Sequence, residues 1–262
     1  MNIFNKIFRK FSYWKRICNF RIISTLFFNF RMFPFHQAIR LPFVFYGKME
    51  FWTLKGCVEL QAPCHFGMVR WGVKRDGFSP SGLPSCLSLA EDAKLIVGGN
   101  VDICPGCTFR IIGTLKLSDK CMIGSRALIA CNNYVFIGIG SRISFNSTVV
   151  DTNFHYTKID EKVAPKEGSV HIGDYCWIGN SSSVMKDAYI PNGSIVASHS
   201  LVNKNFTEGG ENLMLAGIPA IIKKTGVIRI FDAMLEGKIQ QYFAENPEAK
   251  IYTLSDSEKE IR

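Results

Sequence analysis

The stretch HIGDYCWIGNSSSVMKDAYIPNGSIVASHSLV, residues 171–202, decides the fold. Ile172, Ile178, Val184, Ile190, Val196 and Val202 stand six apart without a slip. Small residues (Cys176, Ser182, Ala188, Ser194 and Ser200) follow the first five, each four positions on. Helices repeat every 3.6 residues and strands every two, so neither has this period. A coil that turns a corner every six residues does. One aliphatic points inward from each edge, and a small residue sits where space is tight. This is the hexapeptide pattern of a parallel β-helix, in which each coil buries its aliphatics against its neighbours.

The pattern extends upstream with interruptions. Val97, Ile103, Phe109 and Leu115 keep the step; a two-residue shift leads to Leu117, Ile123 and Ile129. A further two-residue shift leads to Ile137, Ile143 and Val149. Cys121, Ala127, Ser141 and Ser147 occupy the small positions. The expected fold is an all-β solenoid over residues 41–225, preceded by a basic aromatic segment at 1–40. A helix over 226–246 follows, with Phe231, Met234, Leu235, Ile239 and Tyr242 on one face, and a flexible tail at 247–262.

Charge is unevenly placed. The formal net charge is +9, and residues 1–50 carry nine Lys or Arg against one acid. The other 212 residues therefore carry only +1, which argues against nucleic acid as a partner. Residues 1–50 also hold 14 of the 33 aromatics. Phe4, Ile7, Phe8, Phe11, Trp14 and Cys18 share a helical face, with Lys6, Arg9, Lys10, Lys15 and Arg16 largely elsewhere. Two readings stand: a helix resting on the cytoplasmic surface of an anionic membrane, or one docked on the β-helix or another subunit. The apolar stretch from Ile22 to Phe30 is too short to span a bilayer. No secretory signal is apparent; the chain has nine cysteines, of which Cys107, Cys121 and Cys176 fall on small positions of the repeat and read as small core residues of a reducing cytoplasm. Cys104 and Cys107 form an isolated CxxC, a weak metal signal, and no metal is expected. Gly72 to Ser88 reads as a long loop.

The register breaks after Val149; the next inward aliphatic is Ile172. A polar loop over 156–168 must therefore leave the coil. His155 stands at its root, behind Asp151 and Asn153. If 151–155 runs as a strand, these three side chains project from one face. Histidine suits proton transfer near neutral pH; the plainer reading is a surface histidine in a polar loop.

The segment HIGDYCWIG (His171 to Gly179), the clean repeats after it, and GIPA (Gly217 to Ala220) together resemble the hexapeptide-repeat acyltransferases. The branch they resemble contains galactoside, maltose and capsular polysaccharide O-acetyltransferases. The resemblance covers about Leu95 to Lys224. It implies a left-handed parallel β-helix, acetyl-CoA as donor, a sugar or glycan acceptor, a homotrimer, and a site between neighbouring β-helices. Residues 151–155 match the family segment that ends in the catalytic histidine. His155 is thereby implied as general base, with Asp151 or Asn153 orienting the acceptor or the imidazole. Trp177, Gly179 and Ser198 would line the pantetheine groove, and Lys204, Lys223 and Lys224 would meet the phosphates. Trp177 reads equally as a packing residue, and the lysines as solvated charges. One departure is His199, where relatives carry small residues; it either narrows the groove or points outward. Three alternatives remain: N-acetylation of an amino-sugar nucleotide, a zinc hydratase built from three of the five histidines, and a non-catalytic scaffold.

Overall fold

The computed structural model describes residues 19–77 and 83–259. Within them the chain winds into a three-sided parallel β-helix. Face I has nine strands, from Phe43–Phe45 to Ala220–Lys224; face II has seven, from Met49–Leu54 to Leu201–Val202; face III has six, from Cys57–Leu60 to Tyr189–Ile190. The chain visits the faces in the order III, I, II.

The six-residue register is the core. All six aliphatics from Ile172 to Val202 are completely buried, as are Ile123, Ile129, Ile137, Ile143 and Val149. The two-residue shifts have a structural cause. Face III strands of the middle coils, such as Thr114–Leu117 and Tyr134–Ile137, are four residues long and point two side chains inward: Leu115 with Leu117, Val135 with Ile137. Partners in these coils lie 20 residues apart, as in Met122↔Asp102. In the late coils the face III strand shrinks to Tyr189–Ile190 and partners lie 18 apart, as in Trp177↔Ile195.

The corners also recur every six residues. Tyr175, Ser181, Asp187, Gly193 and His199 all have positive φ, and each directly precedes one of the small residues. The small residue meets the next coil. Ser141 Oγ donates to the Gly173 carbonyl at 2.6 Å, and Ser147 Oγ to Gly179 at 3.0 Å. Cysteine does the same: Cys121 Sγ donates to Gly138 O at 3.0 Å and Cys176 Sγ to Pro191 O at 3.1 Å. A buried donor without a partner is costly, so Ser or Cys here binds successive corners together.

Helix α1 (Ile22–Met32) and the short α2 (Phe35–Ala38) close the N-terminal end. Phe28 is buried against Phe43, Phe45 and Phe51. Asn29 Nδ2 donates to the Phe43 carbonyl at 2.7 Å, and its Oδ1 accepts from the Phe43 N–H at 3.1 Å. The first strand of face I thus finds its partners on a helix, which covers an otherwise open sheet edge. This part of the N-terminal region docks on the β-helix; the helical face expected over residues 4–18 lies outside the described residues. No described helix is long and apolar enough to cross a membrane.

Three other segments differ from the sequence expectation. The loop after Gly72 ends by Ser85, where the strand Ser85–Leu89 begins. Helix α3 is Ala233–Glu245 and starts later than the spacing predicts. Asp232 sets the start by accepting the Leu235 N–H at 2.7 Å, and β-branched Val227, Ile228 and Ile230 favour the extended chain before it. Phe231 therefore precedes the helix. Leu235 is buried, whereas Met234 is 86% exposed. The described part of the tail, through Lys259, folds back so that Glu258 is buried, binding Lys238 at 2.6 Å and the Tyr252 hydroxyl at 3.0 Å.

Ile178→Asp should destroy the stack. It removes burial worth about 1.5–3 kcal/mol and places a carboxylate where no partner exists. Circular dichroism should show no cooperative melt at the wild-type midpoint; an unchanged midpoint would contradict the register.

Candidate functional site

The insertion lies at the II/III vertex. Face II ends its strand at Val150 (Thr148–Val150), and face III resumes at Ser169–Ile172. Partners across this coil are 35 residues apart, as in Tyr134↔Ser169, so about fifteen residues more than a middle coil are extruded. Their tip is an antiparallel hairpin, Lys158–Ile159 with Lys162–Val163. The root is tied by Asn153 N–H to Lys166 O at 2.8 Å and Gly168 N–H to Asp151 O at 2.8 Å. Lys166 lies 5.3 Å from the Tyr156 ring.

Residues 151–155 do not run as a strand. Phe154 has φ 60° and the His155 N–H turns back to Asn153 O at 2.7 Å. The three polar side chains therefore do not share a face. Asn153 and His155 are exposed, but Asp151 is completely buried. Its two oxygens accept the N–H groups of Asn132 at 2.7 Å and Asn133 at 2.8 Å. The expectation that Asp151 orients the imidazole or the acceptor is corrected: its carboxylate is buried, with each oxygen on a backbone donor, and holds the corner of the coil below. His155 remains a solvent-facing imidazole on a hydrogen-bonded root. Beside that root a cavity of about 430 Å³ is lined by Asn153, Met185, Lys186, Asp187, Leu201 and Asn203. Lys186 pairs with Asp187 at 3.1 Å while its own side chain is largely covered.

Of the residues expected along the donor, all but Lys204 lie on other sides of the prism. Trp177 stands on face I, its Nε1 donating to Ser144 Oγ at 2.9 Å. Arg229 sits 5.1 Å from its ring. Gly179 is buried at the I/II vertex, where a Cβ would strike the backbone of Ala197 and Ser198. Ser198 is exposed one coil further. His199 occupies the positive-φ corner and is exposed, so it points outward and does not narrow a groove in this chain. Lys204 is exposed beside the Phe206 ring at the II/III vertex, and Lys223 and Lys224 are exposed on the last strand of face I. One chain thus separates His155 from Trp177, Gly179 and Ser198.

Other groups find plainer places. His171 stacks between Phe136 at 4.5 Å and Tyr189 at 4.1 Å, and burial pushes its pKa down; it is packed in an aromatic column. Cys104 and Cys107 are buried, and Cys107 donates to Gly124 O at 3.1 Å. Burial raises the Cys104 thiol to about 11 and those of Cys121 and Cys176 to about 12. Among the described residues no group of three or more His, Cys, Asp or Glu converges as a metal site. The sequence reading missed Lys186, Asn203, Arg142 and Arg229. All except Arg229 sit at outward positions of the repeat, where the register places them but assigns no role.

No family model matches the chain. A curated relative is 27% identical over 226 residues, covering 86% of this chain and 98% of its own; it is an uncharacterized 24.8 kDa protein in the cps region of Klebsiella pneumoniae. Among solved structures the chain is similar to the polysialic acid O-acetyltransferase OatWY: 16% identity, 74% of this chain, 99% of that one, TM-score 0.40. It is also similar to the polySia-specific acetyltransferase NeuO: 19% identity, 81% of this chain, 91% of that one, TM-score 0.38. A third is AntD, an N-acyltransferase from Bacillus cereus, in complex with dTDP and 3-hydroxybutyryl-CoA: 13% identity, 79% of this chain, 89% of that one, TM-score 0.43.

Asp151→Asn should lower stability by about 1–3 kcal/mol, because an amide turns an N–H group toward one of two backbone donors. Urea unfolding reads this; unchanged stability would argue against a corner-binding role. Iodoacetamide at pH 8 should modify Cys57, which is exposed, and spare Cys104, Cys121 and Cys176 until the chain unfolds, because a raised pKa keeps each thiol protonated. Peptide mass mapping before and after denaturation checks it.

Proposed function

We propose that this chain is a hexapeptide-repeat acyltransferase. It transfers an acetyl group from acetyl-CoA to a sugar hydroxyl, on a surface polysaccharide or its precursor, with His155 as general base. The observation that carries this reading is the extruded loop. It puts an accessible imidazole at a tied root, beside a cavity lined by Asn153. The HIGDYCWIG and GIPA segments support the family, and a relative in a cps region supports the glycan.

The chemistry needs no covalent intermediate, because the thioester is already activated. The imidazole takes the hydroxyl proton as the oxygen attacks the thioester carbonyl. Backbone N–H groups hold the oxyanion. Collapse expels the CoA thiolate, which takes the proton back from the imidazolium. Asn153, exposed on the cavity wall, is the polar group placed to bind the acceptor. Trp177, Gly179 and Ser198 line the donor groove, with Lys204, Lys223 and Lys224 for its phosphates. Since Trp177, Gly179, Ser198, Lys223 and Lys224 occupy other sides of the prism than His155, the site is completed by a second copy, as in a homotrimer. A symmetry axis parallel to the stack preserves height, and the His155 loop joins the coil of Arg142 to the coil of Trp177. Trp177 therefore meets His155 at one level, and Ser198, Lys223 and Lys224 continue the groove along the stack.

The protein works in the cytoplasm, at the inner face of the membrane. Ile23, Phe27, Phe30 and Phe35 lie exposed on the capping helices, next to the most basic part of the chain.

His155→Ala should lose about 10²–10⁴-fold in acetyl transfer with its melting temperature unchanged, because the side chain is exposed. CoA release against lipid-linked glycans and sugar nucleotides measures it. Substantial residual activity would favour an amine acceptor, which needs less help from a base. Absence of CoA binding in calorimetry would favour a scaffold.

A further inference from the structure

Face I carries a second feature that acyl transfer does not require. The outward column of this face runs Arg70, Asp102, Met122, Arg142, Trp177 and Ile195, in hydrogen-bonded register. Low in the column charge is balanced: Arg70 grips Asp102 at 2.7 and 2.8 Å, and Arg75 adds a contact at 3.0 Å. Higher up it is not. The segment after the last strand returns along this face, starting with Val227 N–H on Asn212 O at 2.9 Å. It sets Arg229 5.1 Å from the Trp177 ring and 4.9 Å from the Phe231 ring. Arg142 lies 5.9 Å from the same Phe231 ring. Two guanidinium groups therefore share one aromatic side chain, both half-buried.

Neither forms a salt bridge with a carboxylate among the described residues. Arg142 Nε is buried with no hydrogen-bond partner among the described residues, and its Nη1 is spent on the thioether of Met122 at 3.1 Å, a weak acceptor. Burial lowers the pKa of Arg229, the charge of Arg142 lowers it further, and Glu236 opposes this from the first turn of α3. A planar fork of donors held beside a second one is the arrangement that binds a multi-oxygen anion. Trp177, pinned by Ser144, supplies a fixed aromatic wall.

We propose that Arg142 and Arg229 form an oxyanion-binding site on face I, which takes a carboxylate or phosphate whose attached group rests against Trp177. The chemistry has two sources: a phosphate of the acyl donor, or an acidic group on the acceptor. The site itself stands on its own geometry; its assignment to a substrate rests on the acyl-transfer reading.

Inorganic phosphate is the first probe, added to the intact chain in a thermal-shift titration. Phosphate should raise the melting temperature of the wild type, and Arg142→Gln should abolish most of that rise. Arg229→Gln, on the surface strap, should do the same and serves if the first variant folds poorly. Equal phosphate response in wild type and both variants, or none in the wild type, overturns the site. Calorimetry then separates the sources. A loss of about tenfold or more for CoA, with pantetheine unaffected, assigns the site to the donor. Unchanged CoA binding with loss of a preference for glucuronate over glucose assigns it to the acceptor. Failure of the acyl-transfer reading appears elsewhere, as no CoA release by the wild type with any glycan or sugar nucleotide, while the phosphate response stands.

Discussion

Everything in this molecule depends on one coil lying in register on the next at its corners. At each corner of the late coils a residue in the left-handed backbone region turns the chain. The small residue after it meets the neighbouring coil: Cys176 and Ser182 donate to carbonyls there, Ser194 and Ser200 accept N–H groups, and Ala188 only packs. Backbone ladders hold the faces; at the vertices these side-chain bonds add to backbone bonds between corners, such as Ser181 N–H to Phe145 O at 2.9 Å. The inward aliphatics then fall into a continuous column with no room for error. Non-glycine residues in that backbone region carry a conformational cost, and the stack tolerates it at Tyr175, Ser181, Asp187 and His199 because the corner geometry is imposed from both sides.

The same constraint explains the site. A coil cannot absorb extra residues inside the prism, so an insertion must leave at a vertex, and its ends must be tied where they leave. Asp151 does part of that tying, one carboxylate spanning two successive N–H groups of the coil below. What the insertion delivers is a histidine at the II/III vertex, away from the face that carries Trp177. A prism has three sides, and a reaction needing groups from two of them has to join prisms. The returning C-terminal strap crosses face I at the height of the insertion and brings Arg229 to Arg142, so that side too carries concentrated chemistry at the same level.

Much of this was legible in the residues. The hexad register from Ile172 to Val202 predicts the late coils residue by residue, because inward and small positions are set by covalent spacing alone. The two-residue shifts were visible but not their cause, which is a longer face III strand. Asp151 misled: alternation along a supposed strand puts it beside His155, but its carboxylate is drawn to the N–H groups of Asn132 and Asn133, and a positive φ at Phe154 then turns the chain before His155. Helix α3 was read too long because apolar spacing ignores the cap at Asp232.

The sequence by itself determined the coil, its core, the place of the interruption and the histidine at its root, since all of these follow from distances along the chain. Only the tertiary structure decided that Asp151 is buried and His199 outward, that α1 covers the first coil, and that Arg229 meets Arg142. Those facts depend on which segments lie side by side after folding. Spacing along a chain measures position within a repeat, and contact across repeats arises only when the coils are stacked and the ends folded back on them.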